Sequence, residues 1–343
     1  MRTPLRICIY GAGATGGHFA VKLARAGHDI SVIARGPHLV AIRENGLTLR
    51  SGNELLAAEV AASDNAKDFG VQDVVIVAVK ATAIPLIAPQ IAPVIGHDTL
   101  VVFPQNGMTW WYPLKLSPKC PTPPKLPIFD LGEAFLKAMR LDQIVGGLIY
   151  SANEVEAPGI IRNNSPDHNR MDIGAIDGRG NDIIADLRKA LSEADIISTD
   201  PGDIRAAVWA KLLTNMSGST LALATGNRSD GTRDDAALRE IYMRIVREGL
   251  AIAAAHGFPL DDKLDPERMV ARLLNHKPSL LQDYEQRRPM EIAEIVLAPV
   301  AFARSVNLAT PTLDTVAAIV TRIARDRGLL SPTIGGPALS PAL

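Results

Sequence analysis

Gly11-Ala12-Gly13-Ala14-Thr15-Gly16 is a G-x-G-x-x-G motif set directly after the apolar run Arg6 to Tyr10 and directly before a helical pattern. In that setting each glycine has a task. Gly11 permits a tight turn, Gly13 lets the backbone approach a pyrophosphate, and Gly16 lets a helix pack closely on its strand, with the phosphates at the positive helix end. Dinucleotide binding is the expected chemistry, and a glycine turn with a packing role alone is the competing one. An NAD site normally places an acid at the end of the second strand to bind the ribose 2'-hydroxyl. This chain has Ala34-Arg35-Gly36 there. Arg35 can neutralise a 2'-phosphate, which favours NADPH over NADH, against the alternative of an arginine that is merely solvated.

Further polar residues stand where ligand chemistry is expected. Lys80 follows the apolar run Val74 to Val79, and Gln105-Asn106-Gly107 follows Leu100 to Phe103, so both come at carboxyl ends of parallel strands, where open α/β sheets bind ligands. Farther along, Lys211, Asn215 and Ser219 repeat at i, i+4 and i+8 beside an apolar stripe of Val208, Trp209, Leu212, Leu213 and Met216. The stripe could be plain solvent exposure, but Asn and Ser are poor choices for an exposed helix face. Ser279 and Glu291 lie in two short polar segments, each introduced by a proline, Pro278 and Pro289. Taken alone, both segments read as helix capping.

The elements that must position these groups are legible as patterns. Arg6 to Tyr10 reads as a strand, His18 to Ala26 as a helix ended by Gly27, and Ile30 to Ala34 as a second strand, which together make one parallel crossover unit. Val74 to Val79 and Leu100 to Phe103 read as further buried strands. Beyond about Pro201 strand signals almost vanish and long helical stretches take over: Ile204 to Leu223, Ala236 to His256 and Met290 to Ser305. The expected fold is α/β: an N-terminal Rossmann-type dinucleotide-binding domain over residues 1–200, then an all-helical substrate and catalytic domain over residues 201–330, and a loosely ordered tail, 331–343. The proline-rich segment Trp110 to Leu126 reads as a loop or insertion within the first domain. Its Trp110-Trp111-Tyr112 suggests a substrate-side lid, with packing onto the surface as the equal alternative.

Composition excludes several classes. Lys and Arg total 36 against 37 Asp and Glu, a net charge of -1, so the broad basic field that a phosphate-backbone binder needs is missing and nucleic acid is not an expected partner. The densest apolar runs are far below the ~20 residues of a membrane span. The glycines from Gly11 onward cut the opening apolar run before a secretory core could form. Two cysteines, Cys8 and Cys120, make a disulfide framework or a thiolate metal site improbable, so a reducing cytoplasm is the expected compartment.

The combination resembles the ketopantoate reductase (2-dehydropantoate 2-reductase) family over nearly the whole chain, to about Leu329. The matching motifs are the glycine loop, Ile33-Ala34-Arg35-Gly36, Val79-Lys80, Gln105-Asn106-Gly107, Trp209-Ala210-Lys211-Leu212 with Asn215, and Ser279-Leu280-Leu281-Gln282-Asp283 through Glu291-Ile292. The resemblance implies NADPH-dependent reduction of a small-molecule 2-keto acid, with Lys211 as proton donor and Asn215 and Ser279 on the substrate. It places Asn106, Ala152 and Glu291 against the cofactor or the reacting carbonyl. It needs no metal, and it leaves a homo-oligomer open. Two departures fall where a substrate is held: Ser219 stands where the family has a second Asn, and the passage after Gly107 is long and proline-rich. They suggest a paralogous branch, with another branched 2-keto acid or an imino acid as alternative substrate. A non-catalytic NADPH-binding sensor is the alternative from a different class.

Overall fold

The computed structural model describes residues 4–178 and 182–330, so the tail 331–343 lies outside the described residues. Its strands are β1 (Arg6–Tyr10), β2 (Asp29–Ile33), β3 (Leu47–Ser51), β4 (Glu54–Ala58), β5 (Ala61–Ser63), β6 (Val74–Val77), β7 (Leu100–Phe103), β8 (Ile144–Ile149), β9 (Asn153–Ala157), β10 (Ile160–Asn163) and β11 (Met171–Ala175). Seven form one sheet in the order β11-β8-β7-β6-β1-β2-β5. All its pairings are parallel except β11 on β8. Ile7, Ile9, the four residues of β6, Val101 and Val102 are fully buried, as continuous apolar strands covered on both faces should be. The chain runs outward from β1 through β2 to β5 and then returns to set β6 on the other side of β1. That reversal is the topological switch point at which open α/β sheets bind ligands. The α/β Rossmann-type region and the helical C-terminal region agree with the expected fold class.

Local boundaries differ where glycine hides the pattern. The first helix is Ala14–Arg25 and starts four residues before the expected His18. Gly13 caps it in extended backbone, so the glycine loop itself winds into the first turn. The sequence also gave no hint of a second sheet, β4-β3-β10-β9, which packs against that helix. Its β9–β10 hairpin turns at Pro158-Gly159, a local signal that single-strand periodicity overlooks.

The chain divides into two compact units: one joins the residues up to Gln105 with Leu131–Ile204, the other joins Asn106–Asp130 with the residues from Arg205 onward. The sequence-based division, one cut near residue 200, left the proline-rich segment in the first domain. The segment instead supplies core to the helical unit. Trp110, Trp111 and Tyr112 are at most 1% exposed. The Tyr112 ring packs against Phe129, Trp209, Phe258 and Phe302, and its hydroxyl accepts a hydrogen bond from Trp209 Nε1 at 2.9 Å. Arg205 donates to the carbonyl oxygens of Tyr112 and Leu114. Burial of three large rings in the helical unit outweighs chain proximity, and no periodicity within the segment announces it.

In the helical unit the expected helix Ile204 to Leu223 is broken into Ile204–Thr214, a π turn at Asn215–Ser219, and Thr220–Thr225. The expected helix from Met290 likewise begins later. Met290 pairs with Leu330 as an isolated bridge, Glu291 stands just before the helical backbone, and a second π turn, Ala293–Leu297, leads into Ala298–Ser305.

Candidate active site

The nucleotide half is built at the switch point of the first unit. A cavity of about 580 Å³, within the size range of small-molecule sites, is lined by Tyr10, Gly11, Ala12 and Gly13 after β1, Arg35 and His38 after β2, and Val79 after β6. Gly11 has φ +101°, and its N–H and that of Ala12 both bond to the Ile33 carbonyl, which fixes the turn between β1 and β2. A Cβ on Gly16 would collide with the Gly11 carbonyl oxygen, whereas a Cβ on Gly13 would meet nothing within 4 Å. The loop is therefore closed on its packing side and open where a phosphate must approach. No side chain caps the helix that starts at Ala14, so Ala14, Thr15 and Gly16 sit in a first turn whose N–H groups have no capping partner. These features suit a dinucleotide.

Arg35 is exposed, lines the cavity and makes no ion pair among the described residues. Lys80 caps the short turn Ala81–Ala83 immediately after Val79 and does not itself line the cavity. Ala152 has its N–H bonded to Ser165 Oγ at 2.8 Å, and its carbonyl accepts one bond, from Asn164 N–H. Sequence reasoning missed His38 and the hairpin residues Val155, Glu156, Ala157 and Pro158, which complete the cavity. His38 Nδ1 accepts from Gly159 N–H at 3.0 Å and Nε2 donates to the Ala12 carbonyl at 2.7 Å, tying the hairpin to the glycine loop. No spacing rule predicts that bridge, because it joins three separate segments.

The second cluster lies in the helical unit. Lys211 is 9% and Ser219 6% exposed, with Asn215 half-buried, so the polar stripe is not a solvent face. The π turn packs against the helix Ser279–Glu285 and against the second π turn, and π insertions concentrate at functional sites. Ser279 is the exposed first residue of its helix, while Glu291 is buried at 4%. Asp283 ties its helix to the following loop through Arg288 at 3.0 Å, a structural duty that explains part of the Ser279 to Asp283 motif. The Asn106-Gly107 loop joins this cluster: Met108 N–H bonds to the Glu294 carbonyl at 2.9 Å, and Gly107, at φ +77°, lies against the same residue. Thus the elements carrying Lys211, Asn215, Ser219, Ser279, Glu291 and Asn106 converge in one unit. Arg35, Lys80 and Ala152 belong to the other.

Among the described residues no group of three or more His, Cys, Asp or Glu side chains could hold a metal ion, and no helix is long and apolar enough to cross a membrane. Cys8 and Cys120 are free thiols, and burial pushes Cys8 up to about 12.

A Rossmann sheet with an open glycine loop, joined to a helical unit that gathers a lysine, an acid and amide and hydroxyl groups, defines an oxidoreductase of the NAD(P)H-binding class. The model of the family described as ketopantoate reductase PanE/ApbA matches residues 7–124, and that of its C-terminal part matches residues 203–324. A 2-dehydropantoate 2-reductase of Mesorhizobium japonicum is 36% identical over 338 residues, covering 95% of this chain and all of the relative. A crystal structure from Ralstonia solanacearum MolK2, whose assignment as a ketopantoate reductase is provisional, superposes with a TM-score of 0.86 at 31% identity, over 95% of this chain and all of that one. D-Mandelate dehydrogenase with NADH and anilino(oxo)acetate shares the fold, with a TM-score of 0.79 at 21% identity over 94% of this chain and 99% of its own. The chain belongs to the PanE/ApbA ketopantoate reductase family.

Proposed function

We propose that this protein is an NADPH-dependent reductase that converts a 2-keto acid to the 2-hydroxy acid in the cytoplasm, with 2-dehydropantoate to pantoate as the first candidate reaction. The observation that carries the reading is the gathering, in one unit, of buried Lys211 and Glu291 with Asn106, Asn215, Ser219 and Ser279. When bound, the nicotinamide supplies the hydride. The first-turn N–H groups of the helix at Ala14 would hold the pyrophosphate, and Arg35 would provide the cation for a 2'-phosphate.

Hydride addition to a ketone leaves negative charge on the carbonyl oxygen. The Lys211 ammonium donates a hydrogen bond to that oxygen and then protonates it, a general-acid role worth roughly 10²- to 10⁴-fold in rate. Its burial strengthens the interaction, since little water competes for the same charge. Asn215, Ser219 and Ser279 hydrogen-bond the carboxylate and the other oxygens of the substrate. Asn106 orients the reacting face, and Glu291 fixes Lys211 or the product hydroxyl in place.

The test follows the loss of reduced-nicotinamide absorbance with a panel of 2-keto acids, using NADPH and NADH in parallel. Turnover of 2-dehydropantoate with NADPH supports the full assignment, and a better 2-keto acid changes the substrate alone. No turnover of any member with either cofactor refutes the reading and leaves the binding-only alternative.

A further inference from the structure

Three residues beyond Glu291 stands a second acid, Glu294, which the reaction as derived leaves unused. It is 1% exposed, and neither carboxyl oxygen has a hydrogen-bond partner. Its main chain is fixed: the carbonyl accepts from Met108 N–H at 2.9 Å, and a Cβ added at Gly107 would meet its Cβ at 2.8 Å and its carbonyl group at 2.7 Å. The side chain therefore departs from the backbone beside the Asn106-Gly107 loop. In that same segment Thr109 Oγ1 and Trp111 Nε1 are also buried without hydrogen-bond partners. Native proteins leave few such atoms unmatched, because each has given up water for nothing, and a buried carboxyl with both oxygens unmatched calls for a polar group supplied from outside.

The electrostatics fix what the carboxyl can offer. Burial, reinforced by the neighbouring charge of Glu291, pushes it up to about 8, so at neutral pH it retains its proton and can both donate and accept. Of the elements packed against its turn, Asn215–Ser219 carries no charge and Ala298–Ser305 carries only exposed Arg304, while Lys211 stands four residues before the first of them. The segment from Asn106 to Trp111 carries none.

We propose that Glu294 is a specificity-determining residue, whose carboxyl hydrogen-bonds an oxygen of the substrate beyond the carbon being reduced, so that the site selects 2-keto acids bearing a distal hydroxyl. The inference rests on the 2-keto acid reading above. A site built to hydrogen-bond a hydroxyl rejects the analogue lacking it, because its own buried polar group is then left unpaired.

The experiment compares kcat/KM for two 2-keto acids of the same branched skeleton, with and without the distal hydroxyl, in the full-length enzyme. The parent is expected to favour the hydroxylated acid by roughly tenfold or more. Glu294→Leu brings the ratio close to one, chiefly through KM, and Glu294→Gln, which keeps a donor and an acceptor, retains most of it. An unchanged ratio in Glu294→Leu overturns the proposal. Should that variant fail to fold, Glu294→Met, which keeps the length of the side chain without its hydrogen bonds, takes its place, and an unchanged ratio there overturns the proposal. A parent that reduces 2-keto acids without preferring the hydroxylated one defeats this inference alone, whereas a parent that reduces none defeats the functional reading and this inference with it.

Discussion

Replacing Glu294 by glutamine removes a titration without changing the size of the side chain, and its effect on stability is expected to depend on pH in one direction. In the folded chain the carboxyl is raised from the 4.5 of a free glutamate to about 8, first by burial and then by Glu291. Between those two values the folded state holds a proton that the unfolded state has released. Stability contributed by this group is therefore fully present below about pH 4.5, is lost steadily as pH rises, and has gone above about pH 8. At 1.36 kcal/mol per pKa unit the whole loss is about 5 kcal/mol, and the part reached by pH 7 is about 3 kcal/mol. Glutamine cannot ionise, so the variant escapes the loss. Urea unfolding of both proteins at several pH values reads the difference between them, in which every other titrating group cancels. The variant is expected to gain on the parent by several kcal/mol from about pH 5 to about pH 8. A difference constant to within about 0.5 kcal/mol over that range would show that the carboxyl is hydrated or already ionised, and the argument from burial would fail.

Lys211→Ala is expected to lower kcat by roughly 10²-fold or more while leaving NADPH affinity nearly unchanged, as stopped-flow turnover and cofactor titration would record; parent-like turnover would remove its assignment as proton donor. Arg35→Asp should weaken NADPH binding more than NADH binding, and equal losses measured by titration would mean that the 2'-phosphate is read elsewhere. Trp111→Ala should cost about 3–5 kcal/mol in unfolding experiments, because the ring is fully buried in the helical unit, while the ranking of 2-keto acids stays as in the parent; a changed ranking at unchanged stability would restore the lid. Gly107→Ala forces a side chain into left-handed backbone and against the Glu294 main chain at 2.7 Å, so it should lower both Tm and kcat/KM, and a neutral outcome would show that the Asn106 loop is loosely held.

Local chemistry made half of the site legible. Glycine spacing, the strand before it and the arginine two elements later are constraints that the backbone imposes on neighbouring residues, so Gly11, Gly13, Gly16 and Arg35 could be read in order, and each takes its place around the cavity or packs beneath it. The lysine stripe was also visible, and the poor fit of Asn and Ser to an exposed face favoured burial without establishing it. Helical spacing alone cannot distinguish a solvated face from a buried one, and only the packing of the π turn against its neighbours shows Lys211 and Ser219 to be buried.

What the tertiary structure decided is where segments distant in sequence meet. Trp110, Trp111 and Tyr112 follow the nucleotide domain in sequence yet join the helical unit, because all three rings are buried there, Tyr112 against Trp209 and Phe302, and the burial of apolar area takes no account of chain order. His38 serves the glycine loop only because a hairpin formed some 120 residues later supplies the second bond of its ring. Glu294 shows the limit most plainly. As letters, Glu291-Ile292-Ala293-Glu294 place two acids on neighbouring turns, and nothing in the spacing tells a paired surface glutamate from one sealed off without a partner. A carboxyl's chemistry is set by what surrounds it, and those surroundings are assembled from residues 106–111 and the turn at 293–297 only when the chain has folded.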